Sequence, residues 1–427
     1  MKDTVKWRVL FGGFFSYTFD AMDILLLAMC LQAIMADLHL GPAAAGMLAT
    51  STMIGVALSA VIMGWFSDNY GRRAALQVSL VSFSILTMAI ALSSNYWEIL
   101  VLRFLAGLGL GGLWGVIAAY ISETWPIHQR GRAAAFALSS FPLGVALAAY
   151  FAGRIIPDYG WRAVFWTAGL ALLVAIYIHF FVPESAVWKA QHEARNKAEE
   201  RDHKKHDSVT LDEVFTKDLA KSTILGALVA GLSLSAYWGT TTWLPTYLVK
   251  ERGLSVSDMG MFMTVLSGGM FIGYQLFGWL ADVIGKRHAL LITLFGCAVT
   301  LPMYALATDR TVLLWLGPVY AFFIAWVGLF GSYFGELYPT RVRATGAGFC
   351  FNVGRGISAF APVLFGGLAQ MIGLQLALGV CGALFLLAGI VMLFMPNTEA
   401  LAQRHLAEDE AARELEPGIA AGLASRA

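Results

Sequence analysis

The sequence predicts an all-α membrane protein with twelve transmembrane helices in two pseudo-symmetric six-helix bundles. Three observations carry that expectation: the composition, the recurrence of apolar stretches of membrane length, and an internal repeat with a constant offset. Of the 427 residues, 58% are hydrophobic and 13% are charged, against roughly 25% charged in a soluble domain. Mean hydropathy is +0.67. A water-soluble fold of this length cannot hide so much apolar side chain, so lipid must be the solvent for most of the chain. The net charge of +1 offers no basic surface for nucleic acid, and none is expected as a partner.

Apolar segments able to cross a hydrocarbon layer of about 30 Å fall at 8–33, 43–66, 74–93, 97–122, 132–153, 162–182, 222–248, 258–281, 288–306, 312–337, 343–370 and 373–395. The first follows Lys2, Lys6 and Arg8, is too long for a signal-peptide core and lacks a small-residue cleavage site, so it reads as a retained helix. Several segments are rich in glycine, as at Gly107, Gly109, Gly111 and Gly112. Small residues let helices approach closely in lipid, where dispersion forces replace the hydrophobic effect.

Orientation follows from Lys and Arg in the short loops. One set holds Arg72, Arg73, Arg130, Arg132, Lys286, Arg287, Arg341 and Arg343, together with both termini and a polar stretch over 189–220. That side is expected to be cytoplasmic. The opposite loops are poorer, with Arg154, Lys250, Arg252 and Arg310 as exceptions. The expected domains are an N-terminal bundle (1–188), a solvated linker (189–220), a C-terminal bundle (221–399) and a cytoplasmic tail (400–427).

The halves echo each other in three places. GWFSDNYGRR at 64–73 matches GWLADVIGKR at 278–287, an offset of 214 (278 − 64). Glu123-x-x-Pro126-x-x-x-Arg130 matches Glu336-x-x-Pro339-x-x-x-Arg343 at 213 (336 − 123). Pro183, before Glu184-Ser185, matches Pro396, before Asn397-Thr398, again at 213 (396 − 183). A nearly constant offset implies duplicated bundles related by an axis along the membrane normal, and such halves can rock about a central site.

The decapeptide at 64–73 resembles the loop signature of the major facilitator superfamily, and 278–287 resembles its second copy. Further segments resemble the carboxylate–proton symporters, in their sialate and aromatic-acid branches. These are Phe19-Asp20-Ala21-Met22-Asp23, Arg103-Phe-Leu-Ala-Gly107, Glu123-Thr-Trp-Pro126, Gly160-Trp161-Arg162, Pro183-Glu184-Ser185 and Glu336-Leu-Tyr-Pro-Thr-Arg341. The chain departs from the sialate branch in carrying Gly112-Leu113 where an acidic residue is usual, and in Asp-Ala-Met-Asp in its first helix. The resemblance implies a multi-pass inner-membrane secondary transporter, monomeric, with a small organic acid and a proton as its partners and the bilayer as its surroundings.

In the loop signature, Gly64 and Gly71 suit tight turns and close helix approach. Asp68 sits where it can accept from backbone N–H groups at a helix N-terminus, and Arg72 and Arg73 can pair with acids on neighbouring helix ends. Together with Asp282, Gly285, Lys286 and Arg287 they are expected to form a conformational latch.

Four ionisable residues lie well inside the apolar spans: Asp20, Asp23, Arg103 and Arg355. A charge at bilayer depth costs at least about 2.5–3.5 kcal/mol, so each should face an interior cavity and have a partner. None is duplicated at the repeat offset, where Ser233, Ala236, Leu316 and Pro142 stand instead. The scaffold is symmetric and the chemistry is not. Arg355 is expected to anchor an anion, because a guanidinium binds a carboxylate bidentately and keeps its proton. Asp20 or Asp23 is expected to carry the proton, since two neighbouring carboxyls in a low dielectric cannot both be charged cheaply. Arg103 is expected to pair with one of them and to help bind substrate. Two Asp and two Arg sum to zero, and adding one carboxylate and one proton keeps that sum, so one proton per monocarboxylate is the electroneutral expectation.

Secondary candidates for substrate contact are Tyr237 and Trp238 near the Pro245 break, Gln275 beside Tyr274, Trp114, and Asn352 one turn before Arg355. Glu123 and Glu336 are expected to pair with loop arginines. Cys30, Cys297, Cys350 and Cys381 are widely spaced, with no metal-ligand pattern, and read as small buried hydrophobes. No metal site or cofactor is expected. The chain contains no HExxH, GxSxG or Walker-type loop, so an enzyme is not expected. The leading expectation is proton-coupled uptake of a small carboxylate by alternating access. The alternative is an organic-anion or drug exporter or exchanger of the same fold.

Overall fold

The computed structural model describes residues 3–199, 215–216, 219–339, 342–399 and 401. The expected tail and most of the expected linker lie outside them. Every regular element among the described residues is helical. The first half contains α1 (Asp3–Asp37), α2 (Pro42–Tyr70), α3 (Arg72–Ile90), α4 (Tyr96–Leu110), α5 (Leu113–Thr124), α6 (Ile127–Leu138), α7 (Phe141–Phe165), α8 (Leu170–Phe181) and α9 (Ala186–Glu199). The second half contains α10 (Ala220–Lys250), α11 (Val256–Ile284), α12 (Lys286–Leu306), α13 (Arg310–Phe322), α14 (Trp326–Leu337), α15 (Arg343–Ser358), α16 (Ala361–Ile372) and α17 (Leu374–Leu393).

Eleven helical stretches are long and apolar enough to cross a membrane, and one of them, Gln129–Phe181, runs for 53 residues. At 1.5 Å per residue that is about 80 Å, far more than one crossing needs. Gly160, at φ 76° and ψ 171°, breaks it into two crossings, so the total is twelve (11 + 1). Only glycine reaches that backbone geometry without strain. Four crossings are made of two stacked helices each: α4 with α5, α6 with α7, α13 with α14 and α15 with α16. Hydropathy reads through such breaks because the side chains on both sides stay apolar. The helix α9 starts at the end of the expected N-terminal bundle and runs into the stretch expected to be a linker.

Glycine sets the helix spacing where the sequence suggested it. A Cβ on Gly107 of α4 would stand 3.1 Å from the Cα of Gly55 in α2. All four cysteines are buried and free, and no cluster suited to a metal exists among the described residues.

The repeat extends from residue identity to hydrogen bonding. The Tyr120 hydroxyl donates to the Pro183 carbonyl, and the Tyr333 hydroxyl to the Pro396 carbonyl, each pair 213 apart (333 − 120; 396 − 183). Arg130 Nε donates to the Trp125 carbonyl at 2.9 Å, and Arg343 Nε to the Tyr338 carbonyl at 3.4 Å. Arg73 donates to the His179 carbonyl and Arg287 to that of Leu393. These bonds tie the loop signatures, at one end of the molecule, to the helices around them.

The halves touch at the other end. A Cβ on Gly46 of α2 would stand 2.9 Å from the Cα of Val363 in α16. Hydrogen bonds joining the halves lie at this end as well: Val363 N donates to Thr50 Oγ1 at 3.2 Å, and Ser257 Oγ to the Gly153 carbonyl at 2.9 Å. Toward the signature end the helices diverge. Cβ atoms added to Gly64, Gly278, Gly331 and Gly335 would meet nothing within 4 Å. The close approach expected at Gly64 is therefore absent from this conformation, where a Cβ added to it would meet open space.

Candidate functional site

A cavity of ≈ 270 Å³ lies on the seam between the halves and extends toward the signature end. Helix periodicity selects what faces it. Tyr17, Asp20 and Ile24 of α1 fall at i, i+3 and i+7, and Ala347, Phe351 and Arg355 of α15 at i, i+4 and i+8, each set covering one helix face. Trp114, Phe141, Tyr237, Trp238 and Tyr274 complete a largely aromatic wall. The Tyr17 ring packs against Trp114 at 5.2 Å and Phe141 at 5.7 Å between centroids, and Tyr237 against Trp238 at 5.1 Å.

The four intramembrane charges divide into two unlike pairs. Arg103 and Asp23 are both fully buried in the first half, with no exposure. Arg103 Nη1 donates to Asp23 Oδ1 at 3.1 Å, Nη2 to the Asp23 carbonyl at 3.4 Å, and Nε to Thr52 Oγ1 at 3.1 Å. This pair is closed to the cavity. Asp20 and Arg355 do line the cavity. No ion pair within 4.0 Å joins them among the described residues. One Asp20 oxygen, Oδ1, is buried without a hydrogen-bond partner among the described residues. An unneutralised cation and an unneutralised carboxyl thus face one space, with room between them.

Of the other expected contact residues, Trp114, Tyr237 and Trp238 line the cavity. Gln275 and Asn352 do not: both are exposed and outside its lining. Tyr274 takes the cavity face of α11, and its neighbour Gln275 is turned about 100° away. Asn352 lies three residues from Arg355 and is rotated by about 60°, enough to leave the lining. Arg103 does not reach the cavity either, because its guanidinium is held by Asp23 and Thr52.

At the signature end, Arg72 is the hub. It binds Asp68 Oδ1 at 2.5 Å and Glu123 Oε1 at 2.8 Å. Asp68 accepts from this guanidinium and from no helix N-terminus. The group that caps α3 is Glu184, which accepts from Arg72 N at 2.9 Å and from Arg73 N at 3.1 Å. Gly71, at φ 107°, is required here, since a Cβ would strike the Glu184 carboxylate, whose Cδ would be only 2.8 Å away. The sequence signals for Glu184 were its place after Pro183 in the repeat and in the Pro183-Glu184-Ser185 motif, and neither pointed to a capping role. In the second copy Lys286 pairs with Glu336, whose other oxygen accepts from Thr398 at 2.8 Å. Asp282 is exposed and has no partner among the described residues. An arginine fork spans two carboxylates and a lysine point charge serves one, so Asp282 is left outside the second network.

Paired helical bundles meeting at one end, around a central cavity with charged and aromatic walls, define a polytopic membrane carrier of small molecules. The chain belongs to the Major Facilitator Superfamily, which it matches over residues 9–360; its relatives are transporters, not enzymes. It is 32% identical over 387 residues to a cis,cis-muconate transport protein of Acinetobacter baylyi, covering 90% of this chain and 93% of that one. It is 29% identical to a gentisate transporter of Corynebacterium glutamicum, covering 84% and 80% respectively. Its fold is that of a solved D-xylose-proton symporter, with a TM-score of 0.76 at 19% identity, covering 92% and 99% of the two chains. The carboxylate-transporter resemblance read from the loop and helix motifs therefore holds.

Proposed function

We propose that this transporter takes up a small, planar organic acid anion together with a proton, by alternating access between its halves. The observation that carries the reading is the lone pair of opposite groups, Arg355 and Asp20, facing one aromatic-walled cavity without touching. Arg355 receives the carboxylate, Asp20 carries the proton, and the rings of Tyr17, Trp114, Tyr237 and Trp238 hold the flat body of the substrate. The sealed Asp23–Arg103 pair keeps the first half neutral around Asp20 and sets its position. A single unneutralised cation in the lining favours a monocarboxylate, and one proton keeps the cycle electroneutral. The relatives named for muconate and gentisate support an organic acid as the substrate; muconate carries two carboxylates and gentisate one, so the monocarboxylate preference rests on the cavity lining alone.

The signature end is cytoplasmic in this reading, by the positive-inside distribution, and the protein acts as a monomer in the inner membrane. The open space at Gly64, Gly278, Gly331 and Gly335 is where the halves meet when the cycle turns over, and the Arg72 and Lys286 networks hold each half rigid as it moves. A thermal-shift screen of organic acids tests the substrate assignment. Planar monocarboxylates should stabilise the wild type and stabilise Arg355→Gln markedly less at the same concentration. Equal stabilisation of both proteins by the same acids would defeat it.

A further inference from the structure

Four arginines lie toward the end opposite the signature loops, and three are engaged within the fold. Arg162 Nη1 donates to Asp37 at 2.7 Å, Arg310 Nη2 to Asp258 at 2.5 Å, and Arg252 to the Tyr247 hydroxyl and the Ala305 carbonyl. Arg154 pairs with no carboxylate among the described residues. Its guanidinium lies 5.9 Å from the centre of the Tyr150 ring. It stands six residues before the Gly160 break (160 − 154), about 9 Å along the helix, which is the depth at which a long cationic side chain meets lipid headgroups.

Arg154 lines a groove of ≈ 340 Å³ between α7 and α11, on the seam between the halves. Its apolar wall includes Tyr150, 52% exposed, and Met261, 47% exposed. The floor is the inter-half contact itself. A Cβ on Gly260 would stand 2.7 Å from the Gly153 Cα, and Ser257 Oγ bonds the Gly153 carbonyl at 2.9 Å. Asp258 also lines the groove, but Arg310 neutralises it. The groove therefore presents one net positive charge at headgroup depth above an apolar trough.

We propose that this groove holds one anionic phospholipid, with its phosphate on Arg154 and an acyl chain laid along Tyr150 and Met261. A soluble anion would find the cation but would leave the apolar wall unused. Both walls are needed, and they come from different halves, so the lipid binds the conformation in which this end is closed and shifts the population toward it. The inference does not depend on what the central cavity carries.

Native mass spectrometry of the full chain in detergent, with phosphatidylglycerol or phosphatidylcholine added, tests it. The wild type should retain one phosphatidylglycerol about fivefold more tightly than phosphatidylcholine. Arg154→Gln should abolish that preference and Arg154→Lys should keep it. Met261→Trp, which fills the trough and leaves the cation, should lose retention of both lipids. Equal retention of the two lipids by the wild type would overturn the proposal, as would retention unchanged in both Arg154→Gln and Met261→Trp. Displacement by soluble glycerol phosphate at equal concentration would also overturn it, in favour of a free-anion site.

Discussion

Replacing Arg103 by leucine removes the only cation that meets Asp23 among the described residues. Three hydrogen bonds go with it: two to Asp23, at 3.1 and 3.4 Å, and one to Thr52 at 3.1 Å. Asp23 has no exposure to solvent, so its carboxylate is left buried and uncompensated. Breaking a buried pair from one side costs about 3–5 kcal/mol. The contrast lies within the same half. Arg162 and Asp37 form an ion pair with side chains 38% and 45% exposed, and pairs of that kind contribute about 0–1 kcal/mol. Equilibrium unfolding in detergent should therefore show Arg103→Leu losing several times more stability than Arg162→Leu. Adding Asp23→Asn to Arg103→Leu should recover most of the loss, with a coupling energy of about 2–4 kcal/mol in the double-mutant cycle. A loss below about 1 kcal/mol for Arg103→Leu, equal to that of Arg162→Leu, would mean that water reaches the pair and that it is not sealed.

Three further expectations follow from the same geometry. Arg355→Gln should weaken binding of the transported acid about 10- to 100-fold, the loss of one charge-assisted contact of roughly 1.5–3 kcal/mol, measured by titration calorimetry; Arg355→Lys should recover part of it. Gly46→Leu forces atoms against Pro362 and Val363 at a cost of about 1–3 kcal/mol. It should hold the far end open, read as faster alkylation of a cysteine placed at Thr50 by a maleimide that cannot cross the membrane. Glu184→Gln should lower stability by about 1–2 kcal/mol through weakened capping of α3, visible as a lower melting midpoint with substrate affinity intact.

Much of this architecture was legible in the residues. Twelve crossings follow from apolar length, because in lipid every backbone group must be satisfied within its own segment. The repeat was legible because loop glycines, prolines and charges keep their spacing when a half is duplicated. The breaks inside four crossings were not, because Gly111-Gly112 or Ala359-Phe360 leaves the hydropathy unchanged. The four intramembrane charges stood out by cost alone. Their pairing did not: Asp20 and Asp23 share a stretch of helix in sequence, yet one faces the seam and the other the interior of its own half. Asp23 lies about 60° beyond Asp20 and about 120° from Tyr17 around the helix, which carries it past the edge of the cavity face. The same arithmetic removed Gln275 and Asn352 from the lining. Glu184 stood in two sequence motifs, but its capping role did not show there, because its partners are backbone N–H groups and these carry no sequence signature.

The central claim is that Asp20 supplies the proton that drives accumulation. Purified protein in proteoliposomes, with a transported monocarboxylate outside and an inward proton gradient imposed, tests it most directly when wild type and Asp20→Asn are compared in net uptake and in exchange. The wild type should concentrate the acid and lose that ability when the gradient is collapsed, while Asp20→Asn should exchange acid across the membrane at an undiminished rate and never accumulate it. Gradient-driven accumulation by Asp20→Asn equal to that of the wild type would contradict the account.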